Sequence, residues 1–156
     1  GKPVRPSSPV AFSINLTGWL TSTTSEITGP TGFTLRGGSM GPSGTLKAHI
    51  RLAGNTTGTK TFREYLDSTQ IAGVSPSASP VAELITSCRN QASEQIQTNT
   101  PATSPTGVGI AGSSMGTLAS TIDTSADRTF SISLQLSGST ACAILLHADV
   151  TVTYGA

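Results

Sequence analysis

The chain has 156 residues, of which 35% are hydrophobic and 11% are charged, and its formal net charge is +1. This length suits one domain with its own core. The weak charge excludes both an acidic disordered chain and a basic nucleic-acid binder, and no run approaches the roughly 18 apolar residues of a membrane-spanning helix. We therefore expect neither a nucleic acid nor a membrane as a partner.

Charged residues are less frequent than the usual figure of about 25%, and mainly Ser, Thr and Gly take their place. Thr and the branched Val and Ile favour strands, Ser and Gly favour turns, and strong helix formers are scarce. The composition therefore predicts an all-β fold. The first residues also lack the apolar region of a signal peptide, so we expect synthesis in the cytoplasm without export.

Residues 1–9 contain three prolines, which prevent a regular strand ladder. We predict an extended Pro-rich arm over 1–9, followed by a single domain over 10–156. Arms of this kind commonly bind a partner or stay mobile. The candidate partner-binding residues on the arm are Lys2, Pro3, Arg5, Pro6 and Pro9.

In the first half of the domain, apolar and polar residues alternate with a period of two, which indicates half-buried strands. The predicted strands are 10–20, 33–35, 45–53, 60–66 and 69–72. Turn signals lie between them at 29–32, 40–44 and 67–68, and Asn55 to Gly58 predicts a hairpin connection. A Ser/Pro loop over 74–80 ends this half.

Residues 81–97 are predicted as two strands joined by a tight turn over 90–93, with a helix as the alternative. Residues 98–116 are rich in Gly and Pro without periodicity, which indicates a long surface loop. Three closing strands are predicted over 116–122, 129–136 and 141–154. Residues 143–146 are apolar on both faces, so the last of these strands is expected to be central.

About eight or nine strands with irregular connections are typical of a Greek-key sandwich rather than an up-and-down barrel. Aromatic residues make up only 4% of the chain. Because a sandwich with few large side chains buries little area per subunit, we expect an oligomer.

Catalysis is not supported by the residue inventory. His49 and His147 each lie alone in a predicted strand, and no catalytic or nucleotide-binding motif occurs in its required context. Asp123 and Asp127 bracket a turn, where Asp side chains usually bind backbone N–H groups; a calcium site is the alternative. We expect no enzyme activity, no cofactor and no metal.

The two cysteines, Cys88 and Cys142, lack the spacing of a zinc site. We interpret them as small buried residues on core strands, with a disulfide as the alternative.

Three segments carry a resemblance to a known family: LRGGSMGPSGTLK (35–47), NTTGTKTFR (55–63) and TIDTSADRT (121–129). With STQIA (68–72), they resemble the small jelly-roll modules of tailed bacteriophages, over roughly residues 33–154. Residues 63–67 depart from the pattern, since a Gly-Gly hairpin is common there. Such modules are separate virion proteins or the ends of fibres, so the resemblance implies a place in the virion.

Two functions fit this resemblance. In the first, the protein is a capsid decoration (cement) subunit: a homotrimer on the outer capsid surface, with the arm bound to the major capsid protein. In the second, it is the tip of a head or tail fibre that recognises the bacterial surface. Sugar sites favour aromatic platforms, which are scarce here, so the composition favours decoration.

Overall fold

The computed structural model describes residues 10–14, 20–21, 24–28, 33–75, 81–103, 114–115 and 119–156. All regular structure in these ranges is β-strand, so the all-β prediction is confirmed. The described part of the chain contains no helix that is long and apolar enough to cross a membrane. The predicted arm over 1–9 lies outside the described residues.

Thirteen strands lie within the described ranges, eight of them with five or more residues. They are β1 (Val10–Ile14), β2 (Leu20–Thr21), β3 (Ile27–Thr28), β4 (Phe33–Leu35), β5 (Thr45–Gly54), β6 (Lys60–Leu66), β7 (Thr69–Val74), β8 (Val81–Asn90), β9 (Gln97–Thr103), β10 (Ser114–Met115), β11 (Ala119–Ser120), β12 (Arg128–Leu136) and β13 (Cys142–Thr153).

The strands form two antiparallel sheets. The larger has the order β1-β13-β5-β8-β9-β11, with β2 also paired to β13; the smaller has the order β10-β7-β6-β12-β3, with β4 also paired to β12. The chain crosses repeatedly between the two sheets. The four-strand order in the larger sheet is β1-β13-β5-β8, and the order that faces it in the smaller sheet is β3/β4-β12-β6-β7. This is the double Greek key of a jelly roll, as predicted. β13 is central, also as predicted.

The core forms where the inner faces of the two sheets meet. On β5, Leu46 and Ile50 are buried while Lys47 and Arg51 are exposed, which is the alternation read from the sequence. From the smaller sheet, Phe130 is fully buried and its ring stacks on that of Phe33 at a centroid distance of 5.1 Å. Burial of these side chains supplies the main stabilisation of the sandwich.

The prediction of a hairpin over 55–58 is wrong. This turn joins β5 to β6, which lie in different sheets, so it carries the chain across the sandwich. Gly58 does adopt a left-handed backbone with φ of 67°. The hairpin lies one connection later, at Asp67 and Ser68, where β6 pairs with β7. Asp67 takes φ of 51° there, without the glycine that is common in the resembling modules.

The prediction of one long loop over 98–116 is also wrong, because β9 occupies its first part. β9 pairs with β8 through the register Ser87↔Thr100 and Ile85↔Thr103, with an irregularity between these pairs. Pro101 lies within this irregularity on β9, where its missing N–H is tolerated.

Three other predicted boundaries differ from the structure. The predicted strand over 10–20 is represented by β1 and β2, and the predicted strand over 116–122 by the two-residue β11. Over 81–97 the chain forms β8 and only the first residue of β9, so the helix alternative is wrong, and the second strand lies mostly beyond the predicted range. Their connection is longer than the predicted tight turn and comprises residues 91–96.

Candidate functional site

Three connections meet at one end of the sandwich, and we call them the loop cluster: residues 36–44, 91–96 and 121–127. Gly38 N–H donates to the carbonyl of Thr124 (2.8 Å), and Thr124 N–H donates to the carbonyl of Glu94 (2.8 Å). Ser93 N–H donates to the carbonyl of Pro42 (2.9 Å). Each connection is therefore hydrogen-bonded to the other two.

Three polar side chains, each only 1% exposed, lie beneath the loop cluster: Asn90, Gln97 and Thr124. The Asn90 amide donates to the carbonyl of Gly41 (2.7 Å) and to Thr124 Oγ1 (2.8 Å). The Gln97 amide donates to Asn90 Oδ1 (3.0 Å) and to the carbonyl of Ile122 (2.7 Å). Because a buried polar network is stable only when its members are satisfied, these bonds specify one arrangement of the loops.

Two glycines of the segment 35–47 allow close contacts in the loop cluster. A Cβ at Gly37 would lie 2.3 Å from the carbonyl oxygen of Ser125, and Gly37 N–H donates to Asp127 Oδ1 (2.8 Å). Gly41 has φ of 64°, and a Cβ there would lie 2.4 Å from the Tyr154 ring. The segments 35–47 and 121–129, which carry the family resemblance, are thus in direct contact.

Asp123 and Asp127 serve separate turns. Asp123 Oδ1 accepts the N–H of Ser125 (3.1 Å), so the turn-capping interpretation is confirmed for Asp123. Asp127 binds the backbone of Gly37, as described above. No group of three or more His, Cys, Asp or Glu residues able to hold a metal occurs in the described ranges.

Arg128 connects the loop cluster to the β6–β7 hairpin. Its Nε donates to the carbonyl of Asp123 (2.6 Å), and its Nη1 lies 3.0 Å from Asp67 Oδ2. Asp67 Oδ1 also accepts the N–H of Thr129 (2.8 Å). This backbone hydrogen bond, with the guanidinium beside it, lowers the pKa of the Asp67 carboxyl. The hairpin is therefore fixed to the start of β12.

An open surface depression of about 400 Å³ lies beside the loop cluster. It is lined by Ser93, Gln95, Ile96, Thr121 and Asp123. Ile96 is 51% exposed, so its apolar surface is available in the depression. The lining thus combines one apolar surface with hydroxyl, amide and carboxylate groups.

Glu26 binds the outer face of the smaller sheet. Its Oε1 accepts the Tyr65 hydroxyl (2.6 Å) and the Ser133 hydroxyl, and lies 3.5 Å from Arg63 Nη1. The hydrogen bonds from Ser133 and Tyr65 lower the pKa of Glu26. The segment around β3 is thereby held on β6 and β12.

Glu64 and Lys60 are ionisable side chains that point into the sandwich. Glu64, on β6, is 3% exposed, and burial raises its pKa to about 7. Lys60, at the start of the same strand, donates to the carbonyls of Asn55 and Gly58, and burial lowers its pKa. The carbonyls that surround Lys60 belong to the turn that crosses between the sheets.

The cysteines are both free thiols, so the disulfide alternative is wrong. Cys88 is a buried core residue of β8, as predicted, whereas Cys142 is only half-buried at the start of β13. His49 is half-buried on the outer side of β5, and the side chain of His147 lies outside the described residues.

The sequence-predicted site and the site in the structure do not coincide. The arm residues Lys2, Pro3, Arg5, Pro6 and Pro9 lie outside the described residues. Sequence reasoning missed the loop cluster because its polar anchors resemble ordinary surface residues. The available signal was the resemblance itself, since two of its three segments contain the glycines and the aspartates that meet here.

The sequence matches no protein-family model and no curated protein. Among solved structures, the chain is similar to peanut lectin in a complex with a peptide (10% identity, 94% of this chain and 98% of the lectin, TM-score 0.46). It is also similar to lectin I of Ulex europaeus (10% identity, 93% of this chain and 98% of the lectin, TM-score 0.44).

A third similar structure is a chain of infectious bursal disease virus, Gx strain (11% identity, TM-score 0.39). The alignment covers 95% of this chain but 34% of the viral chain. At these TM-scores the similarities carry no argument about function, and the fold assignment rests on the strand order described above.

Proposed function

We propose that the protein is a non-enzymatic structural subunit of a bacteriophage particle: a decoration subunit that binds the outer capsid surface as a homotrimer. The observation that carries the proposal is the loop cluster. The residues that resemble phage modules, including Gly37, Gly41 and Asp127, form internal contacts that hold three connections rigid.

The use of the ionisable side chains also supports a non-enzymatic role. Glu26, Asp67 and Asp127 each accept hydrogen bonds that join separate segments of the chain. Lys60 donates to backbone carbonyls in a buried position. These four side chains of the described residues therefore fix the sandwich.

A rigid surface suits attachment to a regular lattice, because little conformational entropy is lost on binding. The outer face of the larger sheet carries Lys47 on β5 and Arg89 on β8, both exposed. The residues directly opposite them in the neighbouring strands are all Ser or Thr. With Lys2 and Arg5 of the arm, they would bind an acidic surface of the major capsid protein.

Binding to particles tests this proposal. Purified protein is added to capsids that lack it, and the bound fraction is measured by co-sedimentation at increasing salt. We expect binding to weaken with salt, because screening reduces attraction between exposed charges. Lys47→Gln combined with Arg89→Gln should weaken binding, whereas Arg36→Gln, which removes an exposed charge from the loop cluster, should not.

The fibre-tip alternative makes a different prediction in the same system. Imaging of particles with a labelled subunit should place the label on the capsid lattice. Label confined to fibre ends, together with undiminished binding of the Lys47→Gln/Arg89→Gln protein, would overturn the decoration proposal.

The trimer is tested separately by light scattering on the purified protein. We expect a particle with three times the 15.8 kDa mass of the chain. A monomer that persists at micromolar concentration would contradict the trimer without affecting attachment to the capsid.

A further inference from the structure

We propose that the surface depression beside the loop cluster binds a neutral carbohydrate, through hydrogen bonds to Asp123, Gln95 and Thr121 and through apolar contact with Ile96. This site is independent of the proposed attachment to the capsid, because Lys47 and Arg89 lie on a sheet face rather than in the depression.

The lining residues are attached to fixed backbone. Ser93 N–H binds the carbonyl of Pro42, and Ser93 Oγ accepts the N–H of Gln95 (3.1 Å). Thr121 precedes Ile122, whose N–H donates to the buried Gln97 side chain (2.8 Å). A ligand would therefore meet a preformed surface, which lowers the entropic cost of binding.

Asp123 provides the strongest acceptor in the depression. Its Oδ1 is used by Ser125, but its Oδ2 lies 3.8 Å from Arg128 Nη2, too far for a hydrogen bond. The Ser125 hydrogen bonds lower the pKa of the Asp123 carboxyl, so it is ionised at neutral pH. A ligand hydroxyl that donates to Oδ2 would form a charge-assisted hydrogen bond.

The charges around the depression decide the class of ligand. The Asp123 carboxylate disfavours an anion, and the nearby Arg128 guanidinium offsets the attraction for a cation. One carboxylate also falls short of the six or more oxygens that calcium requires. The ligand class that fits these charges is therefore a neutral molecule with several hydroxyl groups.

Ile96 takes the place of the aromatic platform that many sugar sites use, so the apolar contact favours a sugar over a simple polyol. The exposed side chain of Ile96 offers a surface for the C–H face of a pyranose ring, while Gln95 and Thr121 supply both donors and acceptors for its hydroxyls. A volume of about 400 Å³ lies in the range of small-molecule sites, from about 300 to 1,000 Å³.

The site is tested by titrating isotope-labelled protein with a panel of methyl glycosides of neutral hexoses, followed by amide chemical shifts. We expect saturable shifts at Gln95, Ile96 and Thr121 with at least one glycoside. Asp123→Asn should weaken its affinity about tenfold, because it replaces a charged acceptor with a neutral one and keeps an oxygen for Ser125.

Ile96→Ala should also weaken binding, and Ile27→Ala is its matched control, since Ile27 is 43% exposed on β3 in the smaller sheet. Thermal unfolding of each variant reports whether the fold is intact. An absence of saturable shifts at the lining residues for every glycoside, with the fold intact, would overturn the proposal. That result would leave attachment to the capsid untouched, because co-sedimentation measures it independently.

Discussion

The two carboxylate oxygens of Glu64 lie 2.8 and 2.7 Å from one hydroxyl, Oγ1 of Thr86, across the interior of the sandwich. A threonine hydroxyl carries a single proton, so it cannot donate to both oxygens at once. Burial raises the pKa of Glu64 to about 7, although the Thr86 hydrogen bond acts in the opposite direction. Protonated Glu64 can donate to Thr86, which makes this pair complementary at low pH.

The first prediction is that stability falls as the pH rises through the range in which Glu64 ionises. Its pKa in the folded protein, about 7, exceeds its ordinary value of 4.5, so the folded state holds the proton more tightly. The stabilisation is complete below pH 4.5 and is lost as the pH rises to about 7. We expect a total loss of about 3 kcal/mol in the free energy of unfolding, measured by urea denaturation.

The control for this prediction is Glu64→Gln, which keeps the shape of the protonated acid and cannot ionise. This variant should lose the decline in stability between about pH 5 and pH 8. An equal decline in both proteins would assign the pH dependence to another group. Glu26, Asp67 and Asp123 do not interfere with this measurement. Their pKa values are lowered in the folded protein, so the stability that they contribute is lost only as the pH falls below the range in which Glu64 titrates.

The second prediction concerns two residues with left-handed backbone, Ala92 (φ 53°) and Asp67 (φ 51°). Ala92→Gly should raise the free energy of unfolding by up to about 1 kcal/mol, because glycine adopts this conformation without steric cost. Asp67→Gly should instead lower stability, since it removes the hydrogen bonds from Thr129 and Arg128. Thermal unfolding measures both, and a gain of stability in both would contradict the role of the Asp67 carboxylate.

The third prediction tests the buried network beneath the loop cluster. Gln97→Leu leaves Asn90 Oδ1 and the N–H of Ile122 without the partner that each has now. We expect a loss of about 2 to 4 kcal/mol in unfolding free energy. Hydrogen exchange should also accelerate at Gly38 and Thr124, whose N–H groups join the loops.

The matched control for Gln97→Leu is Gln91→Leu, an identical change at an exposed position of the connection that precedes β9. It should leave both stability and exchange nearly unchanged. Equal effects of the two variants would remove the case for an organising network.

The fourth prediction concerns the thiols. Cys88 is 1% exposed, and burial raises its pKa to about 12, so almost no thiolate forms at neutral pH. Iodoacetamide should therefore leave Cys88 unmodified in the native protein and alkylate both cysteines in urea, as read by mass spectrometry of peptides. Modification of Cys88 under native conditions would indicate frequent opening of the core.

The sequence predicts those features of the fold that depend on local pattern. The alternation along β5 and β12 and the presence of a turn at Asp67–Ser68 follow from neighbouring residues alone. The 55–58 turn was misassigned because its Asn and Gly residues indicate that the chain turns there, but they do not determine which strands pair after the turn. Leu52, just before that turn, pairs with Leu145 and Ala82, and no local signal specifies these partners.

Local pattern could not predict the loop cluster for the same reason. Its contacts join positions that are far apart in sequence, such as Gly37 with Asp127 and Asn90 with Gly41. Asn90 and Gln97 have the residue types of a surface strand, and only the fold buries them. The strand β9 was missed because Pro101 opposes ladder pairing unless an irregularity accommodates it.

The central position of β13 has a consequence during protein synthesis. β13 lies between β1 and β5, with Val10 opposite Val152, so β5 has an open edge until β13 has emerged and docked. Pairings between such distant residues form slowly, and open edges recruit strands of other chains. We therefore expect aggregation of nascent or refolding chains, rather than of the folded protein, to limit the yield.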